Sequence, residues 1–141
     1  MDIPISIVEM QQMDEIDIVR SAIIGEAEGE SVVGKAAVAC VIRNRARDNG
    51  KRWPGNYKDV CLQPKQFSCF EPGYQRSSMF KHNWSKDWWR EAHFIAWGLL
   101  HNYFRDITRG ANHYHAVGTM PYWAEDQEPV AAIGGHLFYK L

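Results

Sequence analysis

Glu26 is the residue of this 141-residue chain with the strongest claim to chemistry. Ile16, Val19, Ile23 and Glu26 recur at helical spacing, with Ala22 beside them, so one carboxyl stands at the C-terminal end of an apolar stripe. A carboxyl at the edge of an apolar face loses solvation, which disfavours its ionised form and raises its pKa. An acid that keeps its proton near neutral pH can give it to a leaving oxygen. Cleavage of a glycosidic bond needs that step, because an alkoxide leaves poorly. The bland alternative is a solvated helix-end glutamate, or one paired with an arginine. Glu28 points about two 100° steps round the helix, toward the other side, and would raise the pKa of Glu26 further if it came close. Glu30 returns toward Glu26 only if the helix continues through Gly29.

His113, His115 and His136 open a second possibility. His113 and His115 share one face of an alternating segment, a spacing that can chelate zinc, with Glu26 or Asp106 completing the set. No HExxH helix motif and no cysteine pair supports a metal, and such histidines more often hydrogen-bond or line a polar groove. Cys69 near Gln66 could in principle be a nucleophile, but nothing marks a lowered thiol pKa. There is no GxSxG elbow, and Gly134-Gly135 lacks the context of a phosphate loop. No cofactor is expected.

The elements that must position these groups are legible in outline. A first helix is expected from about Asp14 to Ala27, and a second from about Ser31 to Arg47, stopped by Asn49-Gly50. The middle of the second, Ala36 to Ile42, is apolar all round, as a central buried helix would be. An irregular region follows through Tyr74. A third helix, with Ser85 as N-cap, carries the stripe Trp88, Trp89, Ala92, Ile95, Ala96, Leu99, Leu100 and Tyr103. Asp106 to Gly110 reads as a turn, with Asp106 capping it by side-chain hydrogen bonds. Ala111 to Val117 alternates as a strand does, with Tyr114 on the face opposite His113 and His115. Ile133 to Tyr139 reads as a short strand or extended segment. Helices first, then loops and short strands, give an α+β and mainly α domain. Its helical lobe and small irregular or β lobe would enclose a cleft. No repeat or linker divides the chain, so residues 1–141 form a single domain.

Composition narrows the class of partner. Hydrophobic residues are 45% and charged residues 23%, which is ordinary for a globular protein and enough for a core without disulfides or metals. A formal net charge of -1 removes the basic footprint of a nucleic-acid binder. Six Trp, six Tyr and six Phe supply core filler, or flat surfaces for sugar rings. The three cysteines show no metal spacing and demand no disulfide, so folding in a reducing cytoplasm is the economical reading. The first residues, MDIPISIVEMQQMDEID, lack the basic start, apolar stretch and cleavage site of a signal peptide. No apolar run is long enough to span a bilayer.

Several words of the sequence then arrive in a recognisable order. They are IIGEAEGESVVGKAAVACVIRNR (Ile23 to Arg45), Trp53-Pro54, Val60 through Gln66-Phe67-Ser68-Cys69, and DITRGANHYH (Asp106 to His115). Pro121, Trp123-Ala124 and IGGHLFY (Ile133 to Tyr139) close the series. This pattern resembles the SleB/CwlJ-type cell-wall hydrolases, which include spore-cortex-lytic enzymes and related phage lysins, and the likeness runs from about Val19 to Tyr139. It implies a lysozyme-like fold, akin to goose-type lysozymes and lytic transglycosylases. It implies attack on the β-1,4 bond between N-acetylmuramic acid and N-acetylglucosamine of peptidoglycan. The family's catalytic glutamate is the first of its GEARGE motif and lands on Glu26. Glu30 matches the last Glu of that motif and reads as structural, capping the next helix.

The chain departs from the family pattern at Ile24, where Tyr is frequent, and at Glu28, where Arg is frequent. For the substrate groove, Gln66, Ser68 and His115 can hydrogen-bond N-acetyl or hydroxyl groups, while Tyr114 and Trp123 can stack on pyranose faces. Core packing at the lobe junction is the competing role for Phe67 and Trp123. A lytic transglycosylase needs one carboxylate and is favoured; a hydrolytic muramidase needs a second, for which Asp106 and Glu30 are the nearest candidates. A zinc-dependent amidase and a non-catalytic wall-binding module remain as further alternatives. The expected setting is a phage-type endolysin, monomeric and without stable membrane insertion. It would be made in the host cytoplasm and act on the wall after release.

Overall fold

The computed structural model describes residues 5–63, 67–71 and 77–141. Gln66, one of the expected groove residues, lies outside the described residues. Among the described residues, five helices precede a small sheet: α1 (Ile7–Gln12), α2 (Glu15–Ala27), α3 (Val32–Ala46), α4 (Tyr57–Leu62) and α5 (Asp87–Leu100). Single 3-10 turns lie at Ser68–Phe70, Ser77–Phe80 and Tyr122–Ala124. The strands are β1 (His113–Ala116), β2 (Ala131–Ile133) and β3 (His136–Tyr139). None of the described helices is long and apolar enough to cross a membrane.

The two helices around Glu26 start and stop where their sequence dictates. Asp14 stands in extended conformation just before α2. Ser31 caps α3 by accepting the Gly34 N–H at 3.2 Å. From Ala37 to Ile42 α3 is buried on every side, as a helix without a polar face must be. The core gathers Ile18, Val19, Ala22 and Ile23 of α2, Ala39 and Ile42 of α3, Val60 of α4, and Trp89, Ala92, Ala96 and Leu99 of α5. A second, small cluster of Ala37, Val41, Ala111 and Phe138 fastens the sheet to α3, and Tyr114 packs against both clusters.

Four expectations change. Ser85 does not cap α5: Lys86 holds that position without a side-chain bond, and the Ser85 hydroxyl turns to Asn83. Tyr103 does not extend the α5 stripe. Asn102 takes a left-handed φ of 57° and Tyr103 N–H bonds back to Gly98 O at 2.8 Å, which closes the helix and leaves Tyr103 exposed. The region after Asn49 is not irregular throughout, because Asn56 caps the short α4 by accepting Asp59 N–H at 2.8 Å. The segment from Ile133 is not one strand. Gly134 (φ 57°) and Gly135 turn the chain back, so that β2 and β3 form an antiparallel hairpin. The sheet order is β1-β3-β2, with Tyr114 opposite Phe138 and His115 opposite Leu137.

The end of α3 ties the helical lobe to this sheet. Asn44 Nδ2 donates to Asp106 Oδ2 at 3.0 Å and to Ala111 O at 2.8 Å. Arg45 Nε donates to Asn112 O at 2.8 Å. The entry to β1 therefore has a fixed height relative to α3, and the following residue on its inner face is Tyr114.

Candidate active site

Glu26 sits in the last turn of α2, half-buried where the helical core meets the sheet. Three elements converge on its carboxyl. From β1, the Tyr114 hydroxyl donates to Glu26 Oε1 at 3.1 Å. From the 3-10 turn at 68–70, the Cys69 thiol hydrogen-bonds the same carboxyl. From α3, the Arg45 guanidinium acts on it as a nearby positive charge.

Burial pushes Glu26 above the usual carboxylate range, while the two hydrogen bonds and Arg45 pull in the other direction and only moderate the rise. The expected influence of Glu28 is absent. Glu28 is exposed, and the charge that acts on Glu26 is the positive one of Arg45. Tyr114 is held well above its ordinary value, chiefly by burial and then by the Glu26 charge, so it stays a phenol and a donor. The site thus holds a neutral-tending carboxylic acid that already has partners for its ionised form.

Gly25 makes this convergence possible. A Cβ at this position would stand 2.5 Å from Cys69 Cβ and 2.6 Å from Cys69 Sγ. Any side chain there would force the 68–70 turn, and the thiol it carries, away from Glu26.

The other expected residues are distributed unevenly. Ser68 begins the turn that carries Cys69 to Glu26, so its backbone is at the site. His115 lies on the face of β1 opposite Tyr114, because successive strand residues point to opposite sides. It is buried, with Nδ1 2.8 Å from Ala116 O and Nε2 2.8 Å from Tyr139 Oη. Trp123 packs on that same far face, with ring centroids 5.1 Å from His113, 5.7 Å from His115 and 5.3 Å from Tyr139. Among the groove candidates whose side chains are described, Tyr114 is therefore the one that the structure brings into contact with Glu26.

The remaining acids and histidines are committed elsewhere. Asp106 accepts from Thr108 N–H at 2.7 Å, Thr108 Oγ1 at 2.6 Å, Gly110 N–H at 2.7 Å and Asn44. Burial would raise its pKa, but this set of donors outweighs burial and holds it below the ordinary range. Glu30 does not cap α3. Its carboxylate accepts Gly135 N–H at 3.2 Å and 3.3 Å, and lies 3.0 Å from His136 Nδ1. It clamps the β2–β3 turn from across the domain. His113 Nδ1 meets Asn112 Oδ1 at 2.8 Å. Among the described residues no three His, Cys, Asp or Glu side chains form a cluster that could hold a metal ion.

Arg45 and Cys69 were not singled out by the sequence as partners of Glu26. For Arg45 a signal existed: a charged residue one turn beyond the all-apolar stretch of α3 must find a compensating setting when that helix is central. For Cys69 none did, since its contact depends on the backbone path of a short turn.

Residues 29–139 match the family model described as Cell Wall Hydrolase. A spore cortex-lytic enzyme of Halalkalibacterium halodurans is 38% identical over 60 residues, which are 43% of this chain but 18% of that protein, so the match spans less than a fifth of the relative's length. The catalytic domain of the Bacillus cereus SleB protein superposes with a TM-score of 0.69 at 26% identity, covering 89% of both chains. The catalytic domain of the germination-specific lytic transglycosylase SleB from Bacillus anthracis gives a TM-score of 0.71 at 24% identity, covering 89% of this chain and 93% of that one. The α+β, mainly helical architecture is thus the lysozyme-like fold of the SleB catalytic domains. With four-fifths of its length matched by the family model, the chain belongs to the cell wall hydrolase family.

Proposed function

We propose that this domain is a lytic transglycosylase that cuts peptidoglycan glycan strands at the β-1,4 bond between N-acetylmuramic acid and N-acetylglucosamine. Glu26 would serve first as acid and then as base. The observation that carries this reading is the singularity of Glu26. It alone among the acids considered combines burial, a raised pKa and uncommitted proton chemistry, while Asp106 and Glu30 are bound into structure.

In the first step, protonated Glu26 gives its proton to the glycosidic oxygen. The bond from muramic acid C1 to that oxygen breaks, and C1 takes on oxocarbenium character. In the second step, the C6 hydroxyl of the same muramic acid bonds to C1 and surrenders its proton to the Glu26 carboxylate. The acid is restored, no water is consumed, and the product ends in a 1,6-anhydro ring. Tyr114 and Cys69 hold the carboxylate between the two steps by donating to it. A hydrolytic muramidase would require a second carboxylate to attack C1 or activate water. The name of the Bacillus anthracis relative, a lytic transglycosylase, supports the one-carboxylate route.

Mass spectrometry of digested peptidoglycan tests this directly, with EDTA present and Glu26→Gln as the blank. Ends one water lighter than reducing muramic acid are expected. Reducing ends would replace the transglycosylase with a muramidase. Activity abolished by the chelator would point to a metal-dependent amidase, and binding without any cleavage to a wall-binding module.

Tyr114→Phe provides a second check. It removes one donor to the ionised carboxyl, so turnover is expected to fall about tenfold, the value of one hydrogen bond to a charged group. The pH at which activity declines on the alkaline side should rise, because that bond holds the pKa of Glu26 down. An unchanged limb would remove Tyr114 from the mechanism.

Gln66, Ser68 and Trp123 remain proposed groove residues, and their alanine variants should raise KM more than they lower kcat, whereas His115 is buried behind β1 with both ring nitrogens occupied. The biological setting we propose is a monomeric phage-type endolysin, made in the host cytoplasm and acting on the wall after release.

A further inference from the structure

Arg45 is 7% exposed, deep for a guanidinium, and removing such a charge from water is expensive unless its surroundings answer it. Its Nε donates to Asn112 O at 2.8 Å. Its guanidinium carbon lies 5.4 Å from the Trp53 ring centroid and 5.7 Å from that of Phe67, so aromatic faces border it. Asn112 is itself buried and pinned. Its N–H bonds Tyr139 O at 2.9 Å, and its side chain bonds Leu141 N–H at 3.0 Å and Leu141 O at 2.9 Å. Two residues on, on the same face of the chain, is Tyr114.

We propose that Arg45 is a positioning residue of the site, which fixes Tyr114 against Glu26 and sets the charge against which Glu26 gives up and regains its proton. The proposal rests on the reading of Glu26 as both acid and base. A carboxyl that must work in both senses cannot simply be buried. Burial favours the acid, but the carboxylate left after proton transfer then needs an opposing charge close by. Arg45 supplies that charge from α3, and Tyr114 from β1 and Cys69 from the 68–70 turn supply the hydrogen bonds. Cys61 of α4 also faces this group, and burial holds it as a neutral thiol. On α5 the ionisable neighbours of α2 and α3 are bound elsewhere: Glu91 to Lys35 at 2.6 Å, and His93 to Arg20 at 3.2 Å. His136 lies edge-on to the Tyr114 ring at 5.2 Å and beside Glu30.

The experiment compares pH–rate profiles of soluble glycan-strand cleavage for wild type, Arg45→Met and Arg45→Lys, with thermal unfolding as a check on folding. In Arg45→Met, kcat should fall about a hundredfold, the effect of misplacing a reacting group by about an ångström. Its alkaline limb should move to higher pH, because the nearby positive charge that moderates the burial-driven rise of Glu26 is gone. Arg45→Lys keeps the charge but not the planar fork, so the limb should stay in place while kcat drops. A folded Arg45→Met whose limb coincides with wild type overturns the proposal and leaves Arg45 a purely structural residue. Should Arg45→Met fail to fold, Arg45→Lys decides: full kcat or a displaced limb overturns it. Glu26→Gln in the same assay separates the two ideas. Activity in that variant sinks the acid/base reading itself, whereas an inactive Glu26→Gln with an unmoved Arg45→Met limb sinks only the role given to Arg45.

Discussion

Glu26→Gln is expected to lower the rate of glycan cleavage by about three to four orders of magnitude, the upper range for loss of a general acid–base group. The amide is nearly isosteric and can still accept from Tyr114, so binding of the glycan strand should survive. The loss should therefore fall on kcat, with KM little changed. The same substitution should stabilise the fold. Burial raises the pKa of Glu26 in the folded state above its value in the unfolded chain. Folding then carries no penalty at low pH, where both states are protonated, and a growing one as pH rises past the unfolded value toward the folded one. Glutamine has no proton to lose and escapes that penalty. Thermal unfolding of the two proteins across pH should show curves that coincide in acid and separate toward neutrality, with the variant higher. A variant that is less stable at neutral pH, or that keeps its kcat, would contradict this placement of Glu26.

Asp106→Ala carries the largest expected effect on stability. Its carboxylate satisfies two backbone N–H groups, one hydroxyl and the Asn44 amide, in a loop where Thr108 is fully buried. Arg109 and Gly110 follow at φ of 58° and 84°, consecutive left-handed residues that the loop must hold in place. Removing the acceptor leaves those donors unmet, at about 2–3 kcal/mol, or roughly 10 °C in Tm for a chain of this size. Asp106 is held below its ordinary pKa despite partial burial, so its contribution is present above the unfolded value and is lost as pH falls through the folded one. The gap between wild type and variant, measured by denaturant unfolding, should therefore close in strong acid. A constant gap across pH would show that the bonds do not depend on the carboxylate being ionised. Activity should fall with stability, since the same loop delivers β1 and Tyr114.

What could be read from the sequence was whatever one element decides by itself. The stripe of α2 placed Glu26 at a helix end, and strand alternation put Tyr114 on the face opposite His113 and His115. The apolar middle of α3 announced its burial. Three short elements, α1, α4 and β2, escaped. α1 and α4 are too short for a helical period to declare itself, and β2 hides in a segment whose only punctuation is Gly134-Gly135. Partnerships between distant residues escaped as well. Glu30 resembles a helix-capping acid in sequence, but its carboxylate is used 105 residues away on Gly135. His115 resembles a groove residue, but its two nitrogens are taken by Ala116 and Tyr139. No local pattern encodes such pairings, because they depend on how the sheet docks on α3.

The strand order bears on when the site can exist at all. β1, which carries Tyr114, pairs with β3 and not with β2, so the middle strand of the sheet is the last one made. Loop closure over such separations is slow compared with the growth of α2 or α3, and it comes after the helices have condensed. During synthesis Glu26 therefore emerges before residues 136–141, which seat β1 and anchor Asn112. Until β3 pairs with β1, Glu26 lacks its phenol partner and the site is incomplete.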